Sequence, residues 1–190
     1  SPKAEPKRLT TTVSLDGVYS PDGQWVAFAS NRDGNDPESL DIYRMMADGT
    51  GVRRLTDHDA NDEMPAISPD GKRIAFASDR DGLWNIWTMD VDGKNARQIS
   101  RDRRWFVNSP TWSPDGEYIF ARRHFVAERS LGAGEIWMYH SAAANDGLQV
   151  TEKNGWQKDA GEPDVSPDGS TLYYSKDVTP SLTFEYAKNP

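Results

Sequence analysis

A chain of 190 residues with a formal net charge of −8 and no cysteine can bury one domain core, yet it excludes several classes at once. Disulfide scaffolds, thiolate metal sites and thiol nucleophiles are ruled out by composition, and the acidic excess opposes both the phosphate neutralisation that nucleic-acid binding needs and docking on anionic lipid. Mean hydropathy is −0.79, polar for a globular chain, but seven Trp, seven Tyr and six Phe are more aromatic residues than a disordered segment carries.

No apolar run approaches the ~18 residues that span a bilayer, so membrane insertion is not expected. The chain opens Ser1-Pro2-Lys3-Ala4 without Met or a signal peptide, as a processed or trimmed product does.

The first informative element in chain order is Gly17-Val18-Tyr19 followed by Ser20-Pro21-Asp22-Gly23. The four-residue phrase returns at Ser68, Ser113 and Ser166, at intervals of 48, 45 and 53 residues. A period in the forties marks a propeller or solenoid. Within the phrase, Pro presets φ, Asp can accept from the backbone ahead, and Gly takes positive φ, so each copy predicts a tight turn. A short segment precedes each turn: Gly17-Val18-Tyr19, Pro65-Ala66-Ile67, Pro110-Thr111-Trp112 and Glu162-Pro163-Asp164-Val165.

An apolar run follows each turn: Trp25-Val26-Ala27-Phe28, Arg73-Ile74-Ala75-Phe76, Tyr118-Ile119-Phe120-Ala121 and Thr171-Leu172-Tyr173-Tyr174. Short β-branched and aromatic runs between turn residues predict strands, and Ala between large neighbours suits a sheet packed on both faces. A third strand is predicted at Ile42–Met45, Ile86–Met89 and Ile136–Tyr139, each leading to a further Asp-Gly turn. A polar fourth strand follows at Arg53–Thr56, Arg97–Ser100 and Leu148–Thr151, with the charge that suits an outer edge.

Four strands per unit make a propeller blade, and a blade is stabilised by its neighbours. The prediction is an all-β propeller of about four four-stranded antiparallel blades, at residues 11–56, 57–100, 101–151 and 152–190. The last blade has its third strand around Leu182–Tyr186 and lacks a fourth. Residues 6–10, Pro-Lys-Arg-Leu-Thr, resemble a fourth strand. They either complete the last blade and close a small ring, or end a preceding blade of a longer parent. An open arc would expose edges that a second copy could cover.

Pro65 to Met89 follows closely the pattern of Pro, apolar residue, Ser-Pro-Asp-Gly, apolar strand, Ser-Asp-Arg-Asp-Gly and Ile-Trp. In this it resembles the TolB-like β-propeller repeat. Blade one matches with Asn31 in place of the first Asp of that second turn, and blade three replaces the turn by an insertion from Arg122 to Gly134. The segments 130–137, 157–163 and 174–180 resemble the N-terminal propellers of bacterial amidohydrolase-family proteins. That second resemblance implies an accessory domain of a larger secreted or periplasmic enzyme whose metal ligands lie in a downstream barrel.

Catalytic signatures are incomplete. Counted from Asp79, a calcium loop would put Leu83 fifth and Trp84 sixth, against the alternate acids and sixth-place Gly required; counted from Asp57, Asp62 stands sixth and Ser68 twelfth. The Asp79–Gly82 motif is therefore read as turn chemistry, with Asp capping amides and Arg pairing carboxylates. His58, His124 and His140 are scattered over separate repeats, without zinc spacing. There is no Gly-x-Ser-x-Gly elbow and no phosphate-binding loop, so no catalytic residue, metal or cofactor is assigned.

Alternating strand direction sorts the loops onto two faces. One carries short Gly turns. The other carries the inter-blade loops and the second-to-third-strand loops, where the gaps from Phe28 to Ile42, Phe76 to Ile86 and Phe120 to Ile136 are 14, 10 and 16 residues. Function tends to sit on loops held by a rigid scaffold. Glu63, Ser109 and Glu162, with Asp159 close in sequence, are expected at the central opening. Arg104 and Trp105, in the one basic cluster (Arg101, Arg103, Arg104), supply the residue types enriched at binding hot spots. The expectation is an acidic, aromatic-edged funnel on a non-catalytic module in the periplasm or outside the cell. Its ligand would be a protein, peptide or saccharide. The alternative is a metal-dependent lyase or hydrolase with a carboxylate-lined channel.

Overall fold

The computed structural model describes residues 8–33, 39–125, 134–151 and 160–176. The predicted third strand at 182–186, Asp159, and half of the residues that carry the amidohydrolase resemblance lie outside them.

The described residues form strands only. Blade one comprises β1 (Ser14–Tyr19), β2 (Trp25–Ser30), β3 (Asp41–Met46) and β4 (Arg53–Arg54). Blade two comprises β5 (Asp62–Ile67), β6 (Arg73–Ser78), β7 (Asn85–Asp90) and β8 (Arg97–Gln98). Blade three comprises β9 (Trp105–Trp112), β10 (Tyr118–Phe125), β11 (Gly134–His140) and β12 (Leu148–Gln149); β13 (Ala160–Val165) and β14 (Leu172–Lys176) belong to blade four. Each of the first three sheets runs in sequence order with antiparallel neighbours. The first strands touch in succession, β1 to β5 to β9 to β13. They therefore face the common axis, and the sheets radiate outward from it.

The four phrase turns share one hydrogen-bond scheme. Ser20, Ser68, Ser113 and Ser166 Oγ donate to the Asp two residues on at 2.5–2.6 Å. The same hydroxyls accept from the N–H five residues on, at 2.9–3.1 Å. The Asp carboxylates also accept from the backbone N–H two residues ahead, at 2.9–3.1 Å. Gly23, Gly71, Gly116 and Gly169 have φ of 68° to 72°, which costs Gly little and other residues more. Ser, Asp and Gly are thus each required by the turn's own backbone.

Alternation along the second strand splits its side chains between neighbouring blades. Ile74 and Phe76 pack with Trp25, Ala27, Ala29 and Ile42 of blade one. Ala75 and Ala77 face Val107, Trp112, Ile119 and Ala121 of blade three. Large side chains on one face and Ala on the other let adjacent sheets interdigitate at core density. The outward face of blade one buries Val26, Phe28, Tyr43 and Met45, with Leu9 packed against them. Residues 8–10 form no strand.

Arginines tie neighbouring blades together at the short-turn end. Arg53 Nη2 donates to Asp92 O at 3.1 Å, and Arg97 at the equivalent place donates to Ala142 O at 2.8 Å and Ser141 O at 3.0 Å. Gly93 is needed at the first of these junctions. Its φ is +87°, and a Cβ there would lie 2.5 Å from Leu55 O.

Three boundaries differ from the sequence reading. The fourth strands pair over two residues rather than four, because the chain then turns inward. Leu55 and Ile99 are buried, and Thr56, Ser100 and Thr151 hydroxyls take the N–H of Ile42, Ile86 and Ile136 at 2.8–2.9 Å. Blade three's insertion begins later than Arg122, since Arg122, Arg123 and His124 pair with Ile136, Glu135 and Gly134. The first strands start earlier than expected and carry a bulge.

Candidate functional site

The bulge repeats in every blade. In β1, β5, β9 and β13 two residues oppose one on the second strand, at Asp16-Gly17, Met64-Pro65, Ser109-Pro110 and Glu162-Pro163. The first residue of each pair has φ between 51° and 54°. None is Gly, and such a conformation costs on the order of 1 kcal/mol. Four repetitions at one offset, four residues before the turn Ser, make it a feature of the repeat rather than a local accident. In three of the four, Pro occupies the second bulge position, where the ladder needs no N–H.

Because the inner strands touch in succession, the bulges meet around the axis. Met64 N–H donates to Asp16 Oδ2 of the preceding blade at 3.3 Å. Ser109 Oγ lies 3.6 Å from Met64 Sδ. Side chains from blades one, two and three are thereby joined edge to edge.

Glu63 precedes the β5 bulge and is half-buried. Burial, and then the charges of Asp16 and Asp79, push its carboxyl above the usual range. Asp79 is held in place by accepting Asn61 N–H at 2.9 Å. At the position equivalent to Glu63, blade three has Asn108, whose Nδ2 lies 3.2 Å from His124 Nε2. Blade four has Gly161, where a Cβ would lie 3.3 Å from the Arg122 side chain. The inner surface is therefore acidic beside blades one and two and mixed beside blades three and four.

The predicted site residues fall into two groups. Ser109 and Glu162 occupy equivalent bulge positions, and Glu63 stands one residue before the bulge of its own blade. Glu162 is exposed. Arg104 belongs to the loop between blades two and three, and Trp105 opens β9 beside it. There Arg104 is exposed, and half-buried Trp105 has Arg123 5.6 Å from its ring centroid. Asp159 lies outside the described residues. Asp16 and Met64 were missed by sequence reasoning. Their fixed offset from Ser20 and Ser68 was the available signal, since Ser109 stands at the same offset from Ser113.

The Asp-Arg-Asp-Gly motif does what turn chemistry predicts. Arg80 Nη2 pairs with fully buried Asp62 at 2.7 Å, and its guanidinium lies 4.6 Å from the Trp87 ring centroid. Among the described residues no group of three or more His, Asp or Glu side chains is arranged to hold a metal ion.

Comparison with known proteins agrees with this geometry. The TolB beta propeller domain model matches residues 10–184. An uncharacterized protein of Agrobacterium fabrum is 36% identical over 120 residues, covering 58% of this chain and 40% of that protein. The Tol-Pal system protein TolB of Anaeromyxobacter dehalogenans is 36% identical over 94 residues, covering 50% of this chain and 19% of that protein. The crystal structure of TolB from Acinetobacter baumannii superposes with a TM-score of 0.70 at 20% identity, over 90% of this chain and 40% of that one, a likeness of fold. The chain thus spans less than half the length of each of these three. The match over residues 10–184 and the repeated blade geometry together make the chain a member of the TolB β-propeller domain family.

Proposed function

We propose that this domain is a non-catalytic binding module that takes a protein or peptide on its long-loop face, at the mouth formed by the inner strands. One observation carries the reading. Strained bulges bring Asp16, Met64 and Ser109 of three successive blades into contact along the inner strands, and Glu162 carries the same strain in blade four. Strain kept at one repeated offset is characteristic of sites whose geometry matters more than local stability. The Anaeromyxobacter dehalogenans relative named for the Tol-Pal system supports a place in a protein assembly, and the same reading takes the domain to be periplasmic or secreted. Membership of a larger hydrolase stays within this proposal as a context, with the propeller as its accessory domain.

The test is a peptide library selected on the wild-type domain, followed by affinity measurement on a Glu63→Lys, Glu162→Lys variant. Reversing two charges at the mouth is expected to weaken the selected peptides about tenfold or more. Equal affinity for both proteins would place the binding surface elsewhere. EDTA-sensitive turnover of any ester, amide or glycoside panel member would favour the lyase or hydrolase alternative.

A further inference from the structure

The loop between blades two and three carries Arg101, Arg103 and Arg104 on a chain whose net charge is −8. All three are exposed, and among the described residues none of them forms an ion pair. Between them stands Asp102, and its acid is already engaged. Its Oδ1 accepts Arg104 N–H and Trp105 N–H, both at 2.9 Å, and its Oδ2 forms an ion pair with Arg123 at 2.5 Å from Nε.

The loop is rooted in the blade core. Asn85 is 2% exposed. Its Oδ1 accepts Asp102 N–H at 2.9 Å and Ser100 Oγ–H at 2.8 Å, and its Nδ2 donates to Asp102 O at 3.1 Å. Arg123 beneath the loop lies 4.1 Å from the Trp137 ring centroid and 5.6 Å from that of Trp105. The three cations are therefore presented from a backbone fixed by buried groups, which lowers the ordering cost of binding. Counted from Thr56 and Ser100, the matching loop between blades one and two has Asp57, Asp59 and Ala60 where the three arginines stand. The positive charge belongs to this loop and not to the repeat.

We infer that the 101–104 loop is a docking point for a short acidic peptide segment of a partner protein. The inference rests on the reading of the long-loop face as the binding face and adds the chemistry of what is bound there. Charge distribution selects the occupant. An extended polyanion such as a membrane surface or nucleic acid would meet the remaining acidic surface, including Asp57, Asp59, Glu63 and Glu162. A short segment engages charges within about one Debye length, ~8 Å at physiological salt, where the three arginines outnumber Asp102, itself paired with Arg123. Guanidinium groups also suit planar, bidentate carboxylate recognition.

Fluorescence polarisation with labelled hexaglutamate tests this on the whole chain at low and physiological salt. Wild type is expected to bind with an affinity that falls as salt rises. An Arg101→Ser, Arg103→Ser, Arg104→Ser variant should lose about tenfold or more with its melting temperature unchanged. A Lys72→Ser, Lys94→Ser variant, altered on the short-turn face, should bind as wild type does. Failure of wild type to bind, equal binding by the triple variant, or equal losses in both variants would overturn the proposal. So would binding of phosphatidylglycerol vesicles, but not hexaglutamate, that depends on the arginines. Library peptides that bind the mouth while hexaglutamate does not would sink this inference and leave the proposed function standing.

Discussion

The Arg73 guanidinium of blade two lies 4.6 Å from the centroid of the Trp112 indole of blade three. Arg73 Nη2 also donates to Gly116 O at 3.0 Å, and Trp112 Nε1 donates back to Ala66 O of blade two at 3.0 Å. Cation–π contact and reciprocal hydrogen bonds thus join two sheets that share no strand. Blade one makes a related contact, with Arg44 over Trp25 at 4.5 Å and Arg44 Nη1 donating to Val91 O at 3.3 Å.

Arg73→Ala should therefore destabilise by about 2–4 kcal/mol, the sum of one cation–π contact and one charged hydrogen bond. Arg73→Lys should recover only part of this, because an ammonium cannot stack as a plane. Urea denaturation provides the measurement, and a midpoint for Arg73→Ala equal to wild type would remove the interblade role.

Asp62→Asn should cost about 3 kcal/mol. Asp62 is fully buried, and Arg80, with a side chain 12% exposed, is its partner. Removing one member of a buried pair strands the other charge. The equivalent residue to Asp62 in blade one is Ser14, opposite Ser30 as Asp62 is opposite Ser78. Ser14→Ala is expected to have an effect well below that of Asp62→Asn when thermal unfolding of the two is compared.

Acid should undo the phrase turns one carboxylate at a time. Hydrogen bonds from Ser68 and Ser113 hold Asp70 and Asp115 below the ordinary carboxylate range, and those from Ser166 and Ser170 hold Asp168 down at about 2. A depressed native pKa gives stability that is present above the unfolded value near 4 and lost as pH falls through the native value. For Asp168 that window runs from about 4 to about 2. Ser68→Ala should raise the Asp70 titration midpoint in carboxyl NMR. An unmoved midpoint would show that the hydroxyl is not the cause.

Glu63 behaves in the opposite sense. Its native pKa is raised by burial and by Asp16 and Asp79. Its favourable contribution is therefore complete below the unfolded value and is lost as pH rises through the native one. Glu63→Gln should stabilise the domain at neutral pH, and the difference from wild type should vanish in acid. Identical denaturation curves across that pH range would contradict the acidic cluster at the mouth.

Much of the fold could be read from the chain because its signals are local. Ser20, Asp22 and Gly23 satisfy a turn whose hydrogen bonds close within six residues, and Ile74-Ala75-Phe76-Ala77 alternates at the period of a strand. Such patterns survive in sequence because each residue answers to its own backbone. The long loops and their charges were equally plain. The positive φ at Met64, Ser109 and Glu162 left a weaker trace, a Pro one residue later, which the sequence reading placed within a strand without seeing the bulge it marks.

Sequence alone determined the blade, its repeat and its faces, through turn geometry and periodicity that act over a few residues. Tertiary structure decided which residues meet: Asp16 with Met64 across 48 positions, Met64 with Ser109 across 45, and the Asn85 amide under Asp102. Those contacts depend on how one twisted sheet packs against the next. That angle is set by the sum of large and small side chains on both faces, a sum no single segment contains.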